Sequence, residues 1–399
     1  MFKKILNRRQ FLGQFLVSAS AIAFVPGILR AGQGVAAKSG SSLATDAINN
    51  CLGLIRSCQL ANGAINMRWE RDPQNPDDRK QAIENNENPD VVKVDTLRVI
   101  PYFANHSALA LLAAYSHYEK NYDDLKRVAK WTNFYAVSQN QSSGYINDYK
   151  GSIKGGTFGD SGKKDSVDTY ASTFLQVADV YLKIKTTLPA GQQQELEKIL
   201  PADKLINAAK LSLIAIESVI DNGLTWAKPD YKVKYLVDNA EVYGGLVAGA
   251  DFFDKVGAKA EADKAKGMAA NMGAKLLTYW QPQQQCFAWA IMENGAIESG
   301  LNKSYPDGLA NLCGLAWISS KNIFPWQEIN KKFASDTTIP AERWLMAAIA
   351  INDTDVAKWR QKVAEEGKKF NNATNGNRPA LILLTLLEGR SWMPSIAEQ

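Results

Sequence analysis

The chain has 399 residues, of which 46% are hydrophobic and 22% charged. That is too apolar for a disordered chain and ample for a large core. The formal charge of +5 is local: residues 1–37 hold Lys3, Lys4, Arg8, Arg9 and Arg30 and no Asp or Glu, so the rest is near neutral. A neutral body has no general attraction for nucleic acid or an anionic membrane, and two histidines, His106 and His117, argue against a His-rich metal site.

The N-terminal segment accounts for the misplaced charge. Asn7-Arg8-Arg9-Gln10-Phe11-Leu12-Gly13 resembles the twin-arginine export signal. A small-residue apolar stretch from Phe15 to Leu29 follows, too short to span a bilayer comfortably. Val35-Ala36-Ala37 offers the small residues of a cleavage site. The expected organisation is a signal peptide over 1–37, a linker over 38–45 and a single domain over 46–399. Such a protein is periplasmic or secreted, with the twin-arginine translocase as its partner during export and no stable membrane anchor afterwards. Cofactor-bearing redox enzymes are common passengers of that route. Here no dinucleotide fingerprint, cysteine cluster or haem motif appears, so no cofactor and no metal are expected.

Four cysteines add little. Cys51 and Cys58 are seven apart on a predicted helix, roughly 10 Å, too far for a disulfide. Cys286 and Cys313 read best as buried thiols.

In chain order the apolar residues recur at three and four positions through eleven segments. They are predicted as helices from Ala47 to Leu60, Pro101 to Tyr118, Leu125 to Val137, Tyr170 to Lys185, Leu205 to Ile220, Ala240 to Val256 and Ala260 to Trp280. Four more are expected from Leu309 to Ser319, Ala341 to Ile351, Val356 to Phe370 and Pro379 to Leu387. No long alternating strands appear. Between helices, four segments combine glycine, aromatics and alternating polarity, and each is predicted as the first strand of a small hairpin. They are Asn62 to Trp69, Ser143 to Tyr149, Asn222 to Ala227 and Cys286 to Ala290. Each leads to an acidic helix opening: Asp95-Thr96-Leu97-Arg98, Asp165-Ser166-Val167-Asp168, Asp238-Asn239-Ala240-Glu241 and Tyr305-Pro306-Asp307-Gly308.

The unit is thus helix, long decorated loop, helix, short return, repeated at uneven spacing of roughly 60 residues or more. About six such pairs fit the chain. The pattern resembles the six-hairpin glycosidase superfamily, the (α/α)6 toroid of many glycoside hydrolases and some polysaccharide lyases, over residues 45–390. Val99-Ile100-Pro101-Tyr102-Phe103-Ala104-Asn105 and Tyr305-Pro306-Asp307 are also similar to exported proteins of exopolysaccharide clusters. The fold class this implies is all-α, a toroid of helical hairpins with short β-hairpins in the loops of one face.

In such a toroid the long loops deliver their residues to one rim, beside the N-termini of the inner helices, where unsatisfied N–H groups favour polar ligands. Asp168 is the expected base, with Glu241 or Asp238 as the acid. Trp69, Glu70, Arg98, Tyr102, Asp165, Trp226, Tyr235, Trp289, Tyr305 and Asp307 are the expected substrate contacts. Paired carboxylates flanking a bond, one protonated and one ionised, are the chemistry of glycoside hydrolysis, and an acid wedged near Trp226 and Tyr235 would have its pKa raised by desolvation. Asp165-x-x-Asp168 and Asp238-x-x-Glu241 equally have capping-box spacing, and Asp307 after Pro306 fits a first helical turn. The acidic loops 72–78 and 84–90 read as solvated rather than calcium-binding.

The expected function is a glycoside hydrolase acting on an extracellular or cell-envelope polysaccharide or oligosaccharide. A lyase on the same toroid is the alternative if Arg98, Tyr102, Asn105 and His106 face the cleft. A non-catalytic glycan-binding or exopolysaccharide-secretion protein would keep the aromatics and lack the acid pair.

Overall fold

A computed structural model of the chain describes residues 42–67, 96–152, 156–318, 324–370 and 377–388. The export signal, Trp69, Glu70 and the two acidic loops lie outside the described residues. The linker expected to reach residue 45 is already helical from Ser42.

Twelve helices alternate between an outer and an inner layer. The outer ones are α1 (Ser42–Ser57), α3 (Tyr122–Ser138), α6 (Ala202–Glu217), α8 (Lys259–Leu276), α10 (Phe324–Phe333) and α12 (Val356–Lys369). The inner ones are α2 (Pro101–His117), α4 (Asp168–Lys185), α7 (Leu236–Lys255), α9 (Leu309–Trp317), α11 (Ala341–Ala350) and α13 (Asn377–Glu388). Composition decides the layer. Along α2, 14 of 17 positions are buried, whereas α12 buries only Trp359, Val363, Ala364 and Gly367 of its 14 residues. A helix apolar on all sides needs neighbours on all sides; an amphipathic one needs a single covered stripe.

Each inner helix packs on the next, and α13 packs back on α2, so the inner ring closes while α1 meets α12 outside it. The closest approach is between α4 and α7. A Cβ added at Gly245 would lie 2.5 Å from Ser172 of α4, so only glycine admits the contact. This is the all-α toroid of helical hairpins that the sequence implies. The short α5 (Ala190–Ile199) stands outside the alternation and buries only Leu196.

The strands occupy the loops that enter inner helices, and so one face of the ring. They are β1 (Thr96–Val99), β2 (Tyr149–Ser152), β3 (Thr157–Asp160), β4 (Ile220–Asp221), β5 (Leu224–Thr225), β6 (Val233–Tyr235), β7 (Trp280–Gln281), β8 (Cys286–Met292) and β9 (Ile297–Ser299). The expected independent hairpins are corrected, and the Ser143 segment becomes a strand only at Tyr149. β1 pairs with β2 and β6 with β8, so neighbouring loops are stitched together across the ring. The Asn222 segment supplies the turn and return strand of the β4–β5 hairpin, not its first strand. Asn222 and Gly223 both have positive φ, 51° and 81°, as a type I′ turn requires.

Two clamps tie these strands to the helices they feed. Asn239 of α7 accepts from the Thr225 backbone N–H at 2.7 Å and donates to the Thr225 carbonyl at 3.2 Å. Asn311 of α9 does the same for Phe287, at 2.7 and 3.3 Å. All four cysteines are buried free thiols.

Candidate active site

The carboxylates and their neighbours come from the first two turns of the inner helices. Tyr102 is the second residue of α2, Asp168 the first of α4, and Arg343 the third of α11. Asp238 and Glu241 are the third and sixth residues of α7. The predicted start at Ala240 is four residues late, and the earlier start puts both acids on the helix itself.

Glu241 has no exposed surface. The Tyr102 hydroxyl donates to its Oε1 at 3.0 Å, and Oε2 has no hydrogen-bond partner among the described residues. Burial pushes its pKa well above the usual carboxylate range; Asp238 and, more weakly, Asp168 push the same way, while the Arg343 guanidinium and the Tyr102 hydrogen bond oppose them. Burial thus favours the protonated form of Glu241. The causes are the enclosing helix ring and Asp238, one turn away, rather than the expected wedge of Trp226 and Tyr235. Burial also lifts the Tyr102 phenol far above 10, so it remains a donor.

Asp168 is also fully buried. Its Oδ1 accepts from Ser166 Oγ at 2.6 Å and the Thr169 N–H at 2.8 Å, and its Oδ2 accepts from Thr225 Oγ1 at 2.7 Å. The expected presentation of this side chain to a cleft is not what the structure has: its oxygens are engaged by the loop before α4 and by β5. Asp238, by contrast, is half-buried. The capping-box alternative fails for both pairs. Helix α4 begins after Val167 and α7 after Tyr235, both without a side-chain cap, and Ser166 accepts from the Thr169 N–H.

A second titrating group lies on the loop face. Tyr170 donates to Asp148 Oδ1 at 2.7 Å and accepts from the Asp165 N–H at 3.3 Å. Burial raises the Asp148 carboxyl to about 7; the Tyr170 hydrogen bond lowers it, Asp165 adds to the rise, and Arg98 and Lys228 oppose it. Arg98 and Asp165, expected as separate substrate contacts, are thus members of one cluster. Asp148 had no signal beyond its place in an aromatic segment, because only the β1–β2 pairing brings it to Arg98.

Of the aromatics, Tyr235 and Trp289 stack at 6.2 Å with an interplanar angle of 25°, and Tyr231 shares a 3.1 Å hydroxyl contact with Tyr235. Both stacked rings are half-buried. Trp226 lies under Lys234 Nζ, 4.2 Å from the ring centroid. Tyr305 is half-buried, and Asp307 accepts from the N–H groups of Asn302 and Lys303, which makes it a loop brace.

The condition for a lyase is not met by its proposed polar pair. Asn105 and His106 have no exposed surface; Asn105 is spent on Tyr170, Thr173 and Trp131. Burial, with Arg343 nearby, lowers His106 to about 3. Among the described residues no three His, Cys, Asp or Glu are grouped as a metal site, and no helix is long and apolar enough to cross a membrane. A cavity of about 590 Å³ between Trp326 and Asp353 lies on the opposite face and contains none of these residues.

No family model matches the chain, and no curated protein matches it. A solved structure described as a novel alpha-amylase from Clostridium perfringens is similar to it, with a TM-score of 0.50 over 86% of this chain and 98% of that one. At 10% identity the likeness shows the fold alone.

Proposed function

We propose that the protein is a glycoside hydrolase acting on a polysaccharide or oligosaccharide, exported by the twin-arginine route to the periplasm or beyond. The observation that supports this most is Glu241: a carboxyl whose protonated form burial favours, with one oxygen held by Tyr102 and the other without a partner among the described residues. That is the state of a general acid before it protonates a leaving glycosidic oxygen. Asp238, the strongest like charge acting on Glu241 and the less buried of the two, is the partner carboxylate in this reading. Acids three apart on a helix have Cβ atoms about 5–6 Å apart, nearer the short carboxyl separation of retaining enzymes than the longer inverting one. Asp238 then attacks the anomeric carbon while Glu241 protonates the leaving oxygen, and water later releases the sugar with Glu241 as base. The Tyr235–Trp289 stack offers an aromatic face for a sugar ring beside the site. Asp168, expected as the base, acts in this reading as an anchor for the loops. Because Glu241 is covered, substrate must displace the side chains over Oε2 to meet it.

The test is digestion of a panel of α- and β-linked glucans and acidic exopolysaccharides, with detection of new reducing ends. Glu241→Gln, which keeps the shape of the neutral acid, should lose at least about 100-fold in rate while melting normally. Glycan binding without cleavage by the unaltered protein would move it to the non-catalytic class, and products with an ultraviolet-absorbing double bond to the lyases.

A further inference from the structure

We propose that Tyr102 is a positioning residue that decides which oxygen of Glu241 carries the transferable proton. The inference rests on the acid role given to Glu241 above. Tyr102 is well held: it follows Pro101 in the first turn of α2, is 7% exposed, and meets the edges of Phe103 and His106 at centroid distances of 5.2 and 4.5 Å. Its hydroxyl points at Oε1 of Glu241, 3.0 Å away.

A protonated carboxyl has one carbonyl oxygen, which accepts, and one hydroxyl oxygen, which donates. A phenol that donates to Oε1 marks that atom as the carbonyl. The acidic proton is then confined to Oε2, the oxygen without a partner among the described residues. Without the phenol the proton could occupy either oxygen. His106 completes the arrangement. Neither ring nitrogen has a partner among the described residues, and the ring is neutral, so it walls Tyr102 without competing for the proton. The other charged groups acting on Glu241 are Asp238, Asp168 and Arg343.

The test reads the carboxyl directly. Infrared spectra of the full protein at neutral pH, minus those of Glu241→Gln, isolate the carbonyl band of protonated Glu241. In Tyr102→Phe that band should move to higher wavenumber. It should also persist to higher pH, because the lost hydrogen bond stabilised the ionised form more than the neutral one. Site-specific 3-fluorotyrosine at position 102, a stronger donor that keeps the hydroxyl, should shift the band the opposite way. A band present in the unaltered protein but unmoved by both substitutions overturns the positioning role and leaves the acid role standing. No protonated-carboxyl band at neutral pH overturns both.

Discussion

Thr225 Oγ1 donates to Asp168 Oδ2 at 2.7 Å, joining β5 to the first residue of α4 across 57 positions of sequence. With Ser166 and Thr169 on the other oxygen, the carboxylate fastens two rim loops to an inner helix. Asn in its place keeps one acceptor and turns an amide donor toward the remaining donors. Asp168→Asn should therefore cost about 1–3 kcal/mol in urea denaturation, with glycan cleavage retained. Unchanged stability together with lost cleavage would return Asp168 to the role of base.

Asp148 makes stability fall as pH rises. Its folded pKa of about 7 lies above the ordinary value of 3.8, so between those values the native state binds a proton that the unfolded chain has released. Stability is then lost progressively from about pH 4 to pH 7, by an amount on the order of a few kcal/mol at most. Asp148→Asn preserves an acceptor for Tyr170 and removes the charge. Its denaturation midpoint at pH 8 should exceed that of the unaltered protein, and the difference should vanish near pH 4. Parallel pH curves for the two proteins would show that Asp148 titrates normally.

His117 works in the opposite sense. Its Nε2 lies 2.9 Å from Glu388, joining the last residue of α2 to the last of α13. The hydrogen bond to Glu388 raises the His117 pKa against the effect of partial burial. The stabilisation is complete below the unfolded pKa of about 6.5 and fades as pH passes the higher folded value. Since the His117 side chain is 42% exposed, His117→Gln should cost well under about 1 kcal/mol at pH 5 and nothing at pH 9. A penalty that grows with pH would contradict the assignment.

Export can be tested without the enzyme assay. Replacing Arg8 and Arg9 by Lys should leave full-length precursor in the cytoplasm, as judged by immunoblotting of cell fractions. Normal periplasmic yield would point to general secretion.

The toroid was legible because its inner helices are apolar all round and its loops share a composition. What escaped did so for local reasons. Helix α5 buries only Leu196, so it carries no periodic stripe. Helix α10 is short and has Pro325 in its first turn, leaving Trp326 and Ile329 as its remaining buried anchors. The carboxylates were visible as residues, but their environments were not. Asp168 and Glu241 close the same acid-x-x-acid spacing and look alike in sequence. Asp168 is held by Ser166, Thr169 and the β5 hydroxyl of Thr225, whereas Glu241 meets a tyrosine 139 positions away. Arg343 gave no sign at all, because its relation to Glu241 exists only once the ring has closed.

That closure also constrains how the chain assembles. Asn50 of α1 donates to the carbonyls of Gly367 and Phe370, 317 and 320 positions away, and α2 must wait for α13 to cover its second flank. Contacts at such separation carry the largest loop-closure cost and form slowly. Hairpins can dock one after another along the chain, but the seam has no partial version. In pulse-labelled hydrogen exchange during refolding, amides of α2 and α13 should gain protection last, and until then the apolar flank of α2 is the surface on which refolding chains associate.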